Sequence, residues 1–201
     1  MIQSKRLQQK EETKKLIIKT AYKVYAEKGF SATTSDIAKQ AGLSHGSIFS
    51  HFATVNSLLI CLIQDFGQII GFRLHQLAVE SKSIADVLHA HVNVLAEYEN
   101  FYTRLISEMS LLPDDAKHTL IMIQSTISFH LNKVAEREIN NGDIKKIPMY
   151  IIFNTWLGLI HYYLQNSELF APGASVLKQQ GNKLVKHFLE LIKSNSFAGV
   201  E

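Results

Sequence analysis

Residues 33–52 read Thr33-Thr34-Ser35-Asp36-Ile37-Ala38-Lys39-Gln40-Ala41-Gly42-Leu43-Ser44-His45-Gly46-Ser47-Ile48-Phe49-Ser50-His51-Phe52 and constrain the architecture more tightly than any other segment. Thr33 followed three residues later by Asp36 has the form of a capping box, so a short helix is expected to run from there through Ala41. Gly42 permits the left-handed backbone of a tight turn, and Ser44 offers a cap for a second helix over His45 to Phe52. That helix is too brief to stand alone. Ala38 is small enough for two helices to cross closely, and Ile48 fills the space between them. The combination is a helix-turn-helix pattern. In such a unit the second helix puts its N-terminal residues into the major groove while the first lies against the backbone. Taken alone, the spacing Ala38-x3-Gly42-x5-Ile48 also suits any helical hairpin with a glycine corner.

Outward from this core, Ile17, Ala21, Val24 and Tyr25 fall on one stripe of a helix expected over Glu11 to Lys28 and ended by Gly29. Lysines fill much of the rest. Through Phe52, nine Lys and Arg stand against four Asp and Glu, a net +5, whereas the whole chain carries +3. A basic front end on a mildly acidic body suits contact with a polyanion, although a solvated lysine-rich face explains the charge equally well.

The chain has 201 residues, 46% apolar and 19% charged, with 10 Gly, 3 Pro and 1 Cys, which excludes collagen, low-complexity disorder and a disulfide scaffold. Pro113, Pro148 and Pro172 leave the first 112 residues free of proline, as a mostly helical chain would be. Cys61 has no partner for a disulfide, and the first ten residues lack the apolar run of a secretory signal, so a cytoplasmic protein is expected. Ile147 to Ser167 holds no Asp, Glu, Lys or Arg and is long enough for a membrane span. Pro148, Asn154, His161, Gln165 and Asn166 fit a buried helix better, and no membrane is expected.

Beyond Phe52 the pattern is helical throughout. Thr54 caps a helix running to Val79, and others are expected over Ile84 to Asn100, Phe101 to Leu111, Asp115 to Asn140, Met149 to Asn166 and Ala174 to Lys193. Ser81-Lys82-Ser83, Pro113, Asn140-Asn141-Gly142-Asp143, Pro148 and Pro172-Gly173 separate them. The expected fold class is all-α, divided into a DNA-binding domain over 1–53 and a helical domain over 54–201.

The chain resembles the TetR family of transcriptional regulators. Ile17-Ile18-x-Thr20-Ala21-x2-Val24-Tyr25-x3-Gly29-Phe30 is similar to the family's first helix. Thr33-Thr34-x2-Ile37-Ala38-x2-Ala41-Gly42-Leu43-Ser44-x-Gly46-Ser47-Ile48-Phe49-x-His51-Phe52 is similar to its helix-turn-helix, and Leu58-Leu59 fits the start of its fourth helix. About a quarter of the chain is covered. The resemblance implies a three-helix DNA-binding domain, a ligand-sensing helical domain and a homodimer on duplex DNA, commonly a repressor released by a small molecule. Carried over by position, Thr34 caps the second helix and bonds a phosphate, Ser44 caps the third, His45, Gly46 and Ser47 present the base-reading edge, and Phe49 and His51 stand at phosphate-contacting positions. Lys39 is expected to add affinity without discrimination. Two departures weaken the phosphate grip: Phe49 replaces the usual Tyr, and Val55 the usual Lys. Lys5, Arg6 and Lys10 are candidates for replacement charge.

Assembly and ligand binding leave fainter traces. Asn154, Gly158, His161 and Gln165 form a small or polar stripe on one late helix, and Leu177, Gly181, Leu184, Phe188 and Leu191 form a stripe on the last. By the resemblance, these two helices form a dimer bundle; two ordinary core helices are the alternative. Phe66, Phe101, Tyr102, Met109, Met122, Phe129 and Trp156 could line an apolar cavity with His161 or Asn154 as polar handles, for a small, largely apolar ligand. Aromatics at helical spacing also serve as plain core. An enzymatic reading would rest on Asp86/His89 and Asp115/His118, each a carboxylate and imidazole three apart, with His91 nearby. Di-iron bundles instead use Glu-x-x-His, which is absent, and both Asp residues suit helix N-termini. No catalytic residue, metal or cofactor is expected.

Overall fold

The computed structural model describes residues 2–80 and 83–194. The helices are α1 (Ile2–Lys28), α2 (Thr34–Ala41), α3 (His45–His51), α4 (Val55–Glu80), α5 (Ile84–Glu97), α6 (Glu99–Ser107), α7 (Asp114–Asn141), α8 (Met149–Gln165), α9 (Ser167–Phe170) and α10 (Val176–Ile192), with one 3-10 turn at Met109–Leu111. Among the described residues no β-strand forms, and a single antiparallel bridge joins Ile144 and Lys193. The expected turn residues Ser81 and Lys82 lie outside the described residues.

Several boundaries move, each for a local reason. α1 starts at Ile2 rather than Glu11. Its first turns contain no Gly or Pro and are rich in Gln, Lys and Arg, all good helix formers, and Gln8 bonds Glu12 one turn on. α5 stops at Glu97, and Tyr98 breaks the chain before α6 restarts at Glu99. The expected helix to Leu111 gives way to the 3-10 turn after Ser107.

Contacts divide the chain into two compact units, one of residues 1–67 and 100–121 and the other of residues 68–99 and 122–201. In the first unit Ile17, Val24 and Tyr25 of α1, Ile37 and Ala38 of α2, Ile48 of α3, and Leu58, Leu62 and Phe66 of α4 are buried with Phe101 and Leu105 of α6. Tyr22 meets Phe101 edge-on at 4.7 Å, and Phe101 meets Phe66 at 5.7 Å. The Tyr22 hydroxyl lies 2.8 Å from the Leu62 carbonyl and 3.0 Å from the Asp65 carboxylate, its one proton shared between them.

Residues of α6 hold the end of α1, a contact that sequence periodicity does not reveal. Gly29 turns the chain at φ +75°. Arg104 donates to the carbonyls of Ala26 and Glu27 at 3.4 and 3.3 Å, placing a cation at a helix C-terminus, where the macrodipole favours one. Glu108 accepts from Arg104 at 2.9 Å and from the Phe30 amide at 2.7 Å.

In the second unit Val87, Leu88, Val92 and Leu95 of α5 are buried with Ile152, Trp156 and Ile160 of α8 and Leu177, Leu184 and Phe188 of α10. Ser175 caps α10, and the buried Glu99 carboxylate also accepts from the amides of Val176 and Leu177 at 2.7 and 3.0 Å. An acidic group there satisfies orphan donors and the helix dipole together.

The expected role of the α10 stripe needs correction. Leu177, Gly181, Leu184 and Phe188 face the interior of their own chain, and a Cβ on Gly181 would clash with Val92 Cγ1. The glycine admits α5 of the same molecule rather than a second one. Only Leu191 of that stripe is exposed, at 48%. On α8 the stripe does face outward: Asn154 and Gly158 are exposed, and nothing lies within 4 Å of a Cβ on Gly158. Among the described residues, the one helix segment long and apolar enough to cross a membrane is Val55–Arg73 of α4, not the 147–167 segment. Its Leu58, Leu62 and Phe66 are core residues of the first unit.

Candidate nucleic-acid interface

α2 begins where a complete capping box forms. The Thr33 hydroxyl accepts the Asp36 amide at 3.2 Å, and Asp36 accepts the Thr33 amide at 2.9 Å. Thr33, not Thr34, is therefore the cap, which corrects the role carried over to Thr34. Asp36 also takes Lys28 Nζ at 2.6 Å, so α1 and α2 are joined end to end. The Lys28 ammonium first, and then the Thr33 hydroxyl and amide, hold the Asp36 carboxyl well below the ordinary carboxylate range.

Gly42 closes α2 at φ +67°, donating back to Ala38 and Lys39, and the Leu43 amide donates to the Ala38 carbonyl at 3.0 Å. This left-handed end turns the chain without a side-chain penalty. Ser44 then caps α3, accepting the Ser47 amide at 3.2 Å, and Ile48 is fully buried. The sequence reading of Ala38, Gly42, Ser44 and Ile48 thus matches the structure. Thr54 and Ser57 make a similar reciprocal pair at the head of α4, at 3.0 and 3.1 Å.

α3 exposes one edge. His45, Gly46, Phe49 and Ser50 are exposed, with Ser47 and His51 half-buried. Thr34 is buried, but its hydroxyl meets His45 Nε2 at 2.9 Å, while the His45 ring lies edge-on to Phe49 at 4.9 Å. Ser44 and Ser47 hydroxyls lie 3.1 Å apart. His51 Nδ1 is enclosed with no hydrogen-bond partner. Lys39, Lys5, Arg6 and Lys10 are exposed, as is Val55 at 39%. These groups give donors, acceptors and cations on a rigid short helix and its flanks, the chemistry needed to read base edges and hold phosphates.

Residues 17–60 match the family described as bacterial regulatory proteins, tetR family. The fatty acid metabolism regulator protein of Bacillus subtilis is 32% identical over 178 residues, covering 81% of this chain and 90% of that protein. The chain belongs to the TetR family. It is a helix-turn-helix transcriptional regulator by that membership. Two further B. subtilis HTH-type regulators, YuxN and YerO, are matched over only 45% and 32% of their length. Among solved structures, a TetR-family regulator from Agrobacterium tumefaciens superposes with TM-score 0.77 at 18% identity, covering 92% of this chain and all of that one (100%). FadR of B. subtilis in complex with stearoyl-CoA superposes with TM-score 0.70 at 22% identity, covering 88% of this chain and 98% of that one. These two likenesses speak to the fold.

Other candidate residues of this TetR-family chain fall into separate groups. Phe66, Phe101 and Tyr102 are brought together, Phe66 lying 5.6 Å from the Tyr102 ring. Met109 is on the 3-10 turn at 36% exposure, and Met122 and Phe129 point outward at 66% and 65%. Trp156 is fully buried and bonded to His91, a residue the ligand reading did not include. His161 is half-buried, and burial lowers its pKa. Asp86 closes a capping box with Ser83, and among the described residues no group of three or more His, Cys, Asp or Glu could hold a metal ion. The Thr33–Asp36 capping box was expected and forms, whereas the Lys28–Asp36 and Arg104–Glu108 pairs were missed as organisers of the helix-turn-helix end. Arg104 and Glu108 are visible in the sequence only as an i,i+4 pair, which ordinarily marks a solvated helix face.

Proposed function

We propose that this TetR-family regulator is a cytoplasmic, ligand-responsive homodimeric repressor that binds a pseudo-palindromic operator through residues 1–53 and senses a small, largely apolar molecule through residues 54–201. The observation that carries the reading is the capped helix-turn-helix whose α3 edge carries His45, Gly46 and Ser47 beside the exposed Lys39. In this reading His45 and Ser47 touch bases, the α1 cations, Lys39 and His51 hold the phosphate backbone, and the buried Thr34 orients the His45 ring beside Phe49.

A second copy pairs on the outward face of α8, where Ile151 and Tyr162 are 42% and 56% exposed beside Asn154 and Gly158, with Leu191 of α10 at the edge. Two heads then read half-sites about 34 Å apart, one helical turn of DNA. α4 follows the recognition helix directly through Thr54 and serves as the lever that misaligns the heads. A ligand that favours the misaligned state weakens DNA binding by its differential affinity, and DNA weakens ligand binding equally.

The relative named for fatty acid metabolism and the neighbour holding stearoyl-CoA favour a long-chain acyl compound as ligand. The test is selection of binding sites from random duplex DNA, then titration of stearoyl-CoA with and without the selected operator. Operator release with reciprocal weakening is expected. Equal ligand affinity in both titrations overturns the switch, and failure to select any sequence overturns the DNA reading.

A further inference from the structure

His91 lies on α5 with 1% of its surface exposed. Trp156 Nε1 donates to its Nδ1 over 3.0 Å. An indole nitrogen is a donor only, so Nδ1 is the unprotonated nitrogen of the ring and Nε2 carries the hydrogen. That Nε2–H is enclosed and has no acceptor among the described residues. Burial, and after it the charge of His161, pushes the ring pKa down to about 4, so the imidazole is neutral near pH 7.

The surroundings are apolar. Val87, Leu88 and Leu95 on α5 and Ile160 on α8 are buried, and the Phe188 ring lies 5.2 Å from Trp156. A buried donor without an acceptor is strongly unfavourable, and the structural need at this position, an acceptor for the Trp156 indole, is met by Nδ1 alone. Serving Trp156 uses only one of the two ring nitrogens. The other is a fixed donor in a low-dielectric site with His161, itself held towards neutrality by burial, as its titratable neighbour. Such a site rewards a neutral oxygen and rejects a carboxylate, whose charge would be desolvated beside imidazoles that burial keeps neutral.

We propose that His91 Nε2–H is the hydrogen-bond donor for a neutral carbonyl oxygen on an aliphatic chain, so that the regulator takes an acyl ester or thioester rather than the free fatty acid. The assignment rests on the acyl-ligand reading above and adds the atom that recognises the acyl group. Sites that hydrogen-bond a ligand group discriminate sharply against an analogue lacking it, because the protein partner is then left unpaired.

The test uses the full-length wild-type protein with three probes: stearoyl-CoA, the S-octadecyl-CoA thioether that lacks the carbonyl oxygen, and stearate. The thioester should bind about ten- to a hundredfold more tightly than the thioether, as expected for loss of one buried hydrogen bond. Stearate should bind more weakly than stearoyl-CoA. With nitrogen-15-labelled histidine, the His91 Nε2–H signal should shift on adding the thioester and stay in place with the thioether. His91→Phe should abolish the discrimination, and His91→Gln, which keeps an N–H near the same place, should restore part of it. The wild-type comparison stands even if a variant fails to fold. Equal affinities with an unmoved Nε2–H signal overturn the inference and leave His91 as the acceptor for Trp156 alone. If stearoyl-CoA releases operator DNA without such discrimination, the regulatory reading stands and the inference falls. If no probe binds, the acyl-ligand reading falls and the inference with it, while the DNA reading is untouched.

Discussion

Gly29→Ala should destabilise the protein far more than Gly42→Ala, although both glycines sit at left-handed helix ends. At Gly42, φ is +67° and nothing lies within 4 Å of an added Cβ. The loss there is the backbone term alone, about 1–2 kcal/mol. At Gly29, φ is +75°, and the new Cβ would lie 2.5 Å from Glu108 Oε1 and 2.7 Å from Oε2. The carboxylate is the end of a flexible side chain and can swing away. Doing so breaks its bond to the Phe30 amide at 2.7 Å and its pairing with Arg104 at 2.9 Å. A hydrogen bond to a charged group contributes about 1.5–3 kcal/mol, and the partly exposed Arg104 pair adds little beyond it. The expected loss is then about 2.5–5 kcal/mol, the sum of the backbone and hydrogen-bond terms.

Urea midpoints at one protein concentration, with unchanged m, measure both losses, since self-association would otherwise shift the midpoint. A double-mutant cycle sharpens the test. Once Glu108→Ala has removed the carboxylate, adding Gly29→Ala should cost only the backbone term, so the two changes should be sub-additive by about 1.5–3 kcal/mol. Equal losses at Gly29 and Gly42, or strict additivity in the cycle, would refute the claim that Glu108 packs on this turn.

Tyr25→Phe should be neutral or stabilising by up to about 1 kcal/mol, because the hydroxyl is buried without a partner and burial pushes its pKa up to about 12; a clear loss in urea unfolding would contradict this. Thr33→Ala should cost about 1 kcal/mol through loss of the cap. Thr34→Ala should cost less stability but alter the His45 ring signals in a proton NMR titration, and the reverse ranking of stabilities would return the cap to Thr34. Stability should fall in acid through His91. The unfolded ring protonates near 6.5 and the folded ring only near 4, so the unfolded state binds more protons between those values. The stability is present above about pH 6.5 and declines by about 3 kcal/mol towards pH 4. The wild-type minus His91→Phe difference in unfolding free energy should follow that slope, and a flat difference would show that the folded ring protonates freely.

The DNA-binding end was legible because its constraints are local. A cap, a small residue, a left-handed glycine, a second cap and a buried Ile lie within sixteen residues of one another, from Thr33 to Ile48, and each has a backbone reason for being there. Thr33 and Thr34 show the limit of that locality. Either could cap by type, and the Asp36 side chain settles the choice by returning a bond to the Thr33 amide. The α10 stripe was misassigned because Leu177, Gly181, Leu184 and Phe188 show only that one face is apolar and closely approached. They do not show which chain approaches. Val92, about ninety residues earlier in sequence, supplies that answer. His91 and Trp156 meet across 65 residues. Neither helical periodicity nor motif spacing carries such a pairing.

The hydrogen bonds around α3 also bear on how it would read DNA. His45 Nε2 is held by Thr34 at 2.9 Å, and the Ser47 hydroxyl lies 3.1 Å from that of Ser44. The Thr34 contact fixes the ring's direction and commits one nitrogen, leaving Nδ1 as the atom free to meet a base. The Ser44–Ser47 pair must open, or share its protons, before Ser47 can bond a base edge. Exchanging one such bond for another gains little net energy when the base is right, because a typical bond contributes only about 0.5–1.5 kcal/mol. With the wrong base the old bond is lost and none replaces it. An α3 edge organised in this way contributes discrimination more than affinity, so affinity must come from phosphate contacts. Lys28 is already committed to Asp36, Phe49 has no hydroxyl, and Val55 has no charge. The exposed cations on the lengthened α1, Lys5, Arg6 and Lys10, together with Lys39, are therefore the groups on which DNA affinity and its salt dependence should chiefly rest.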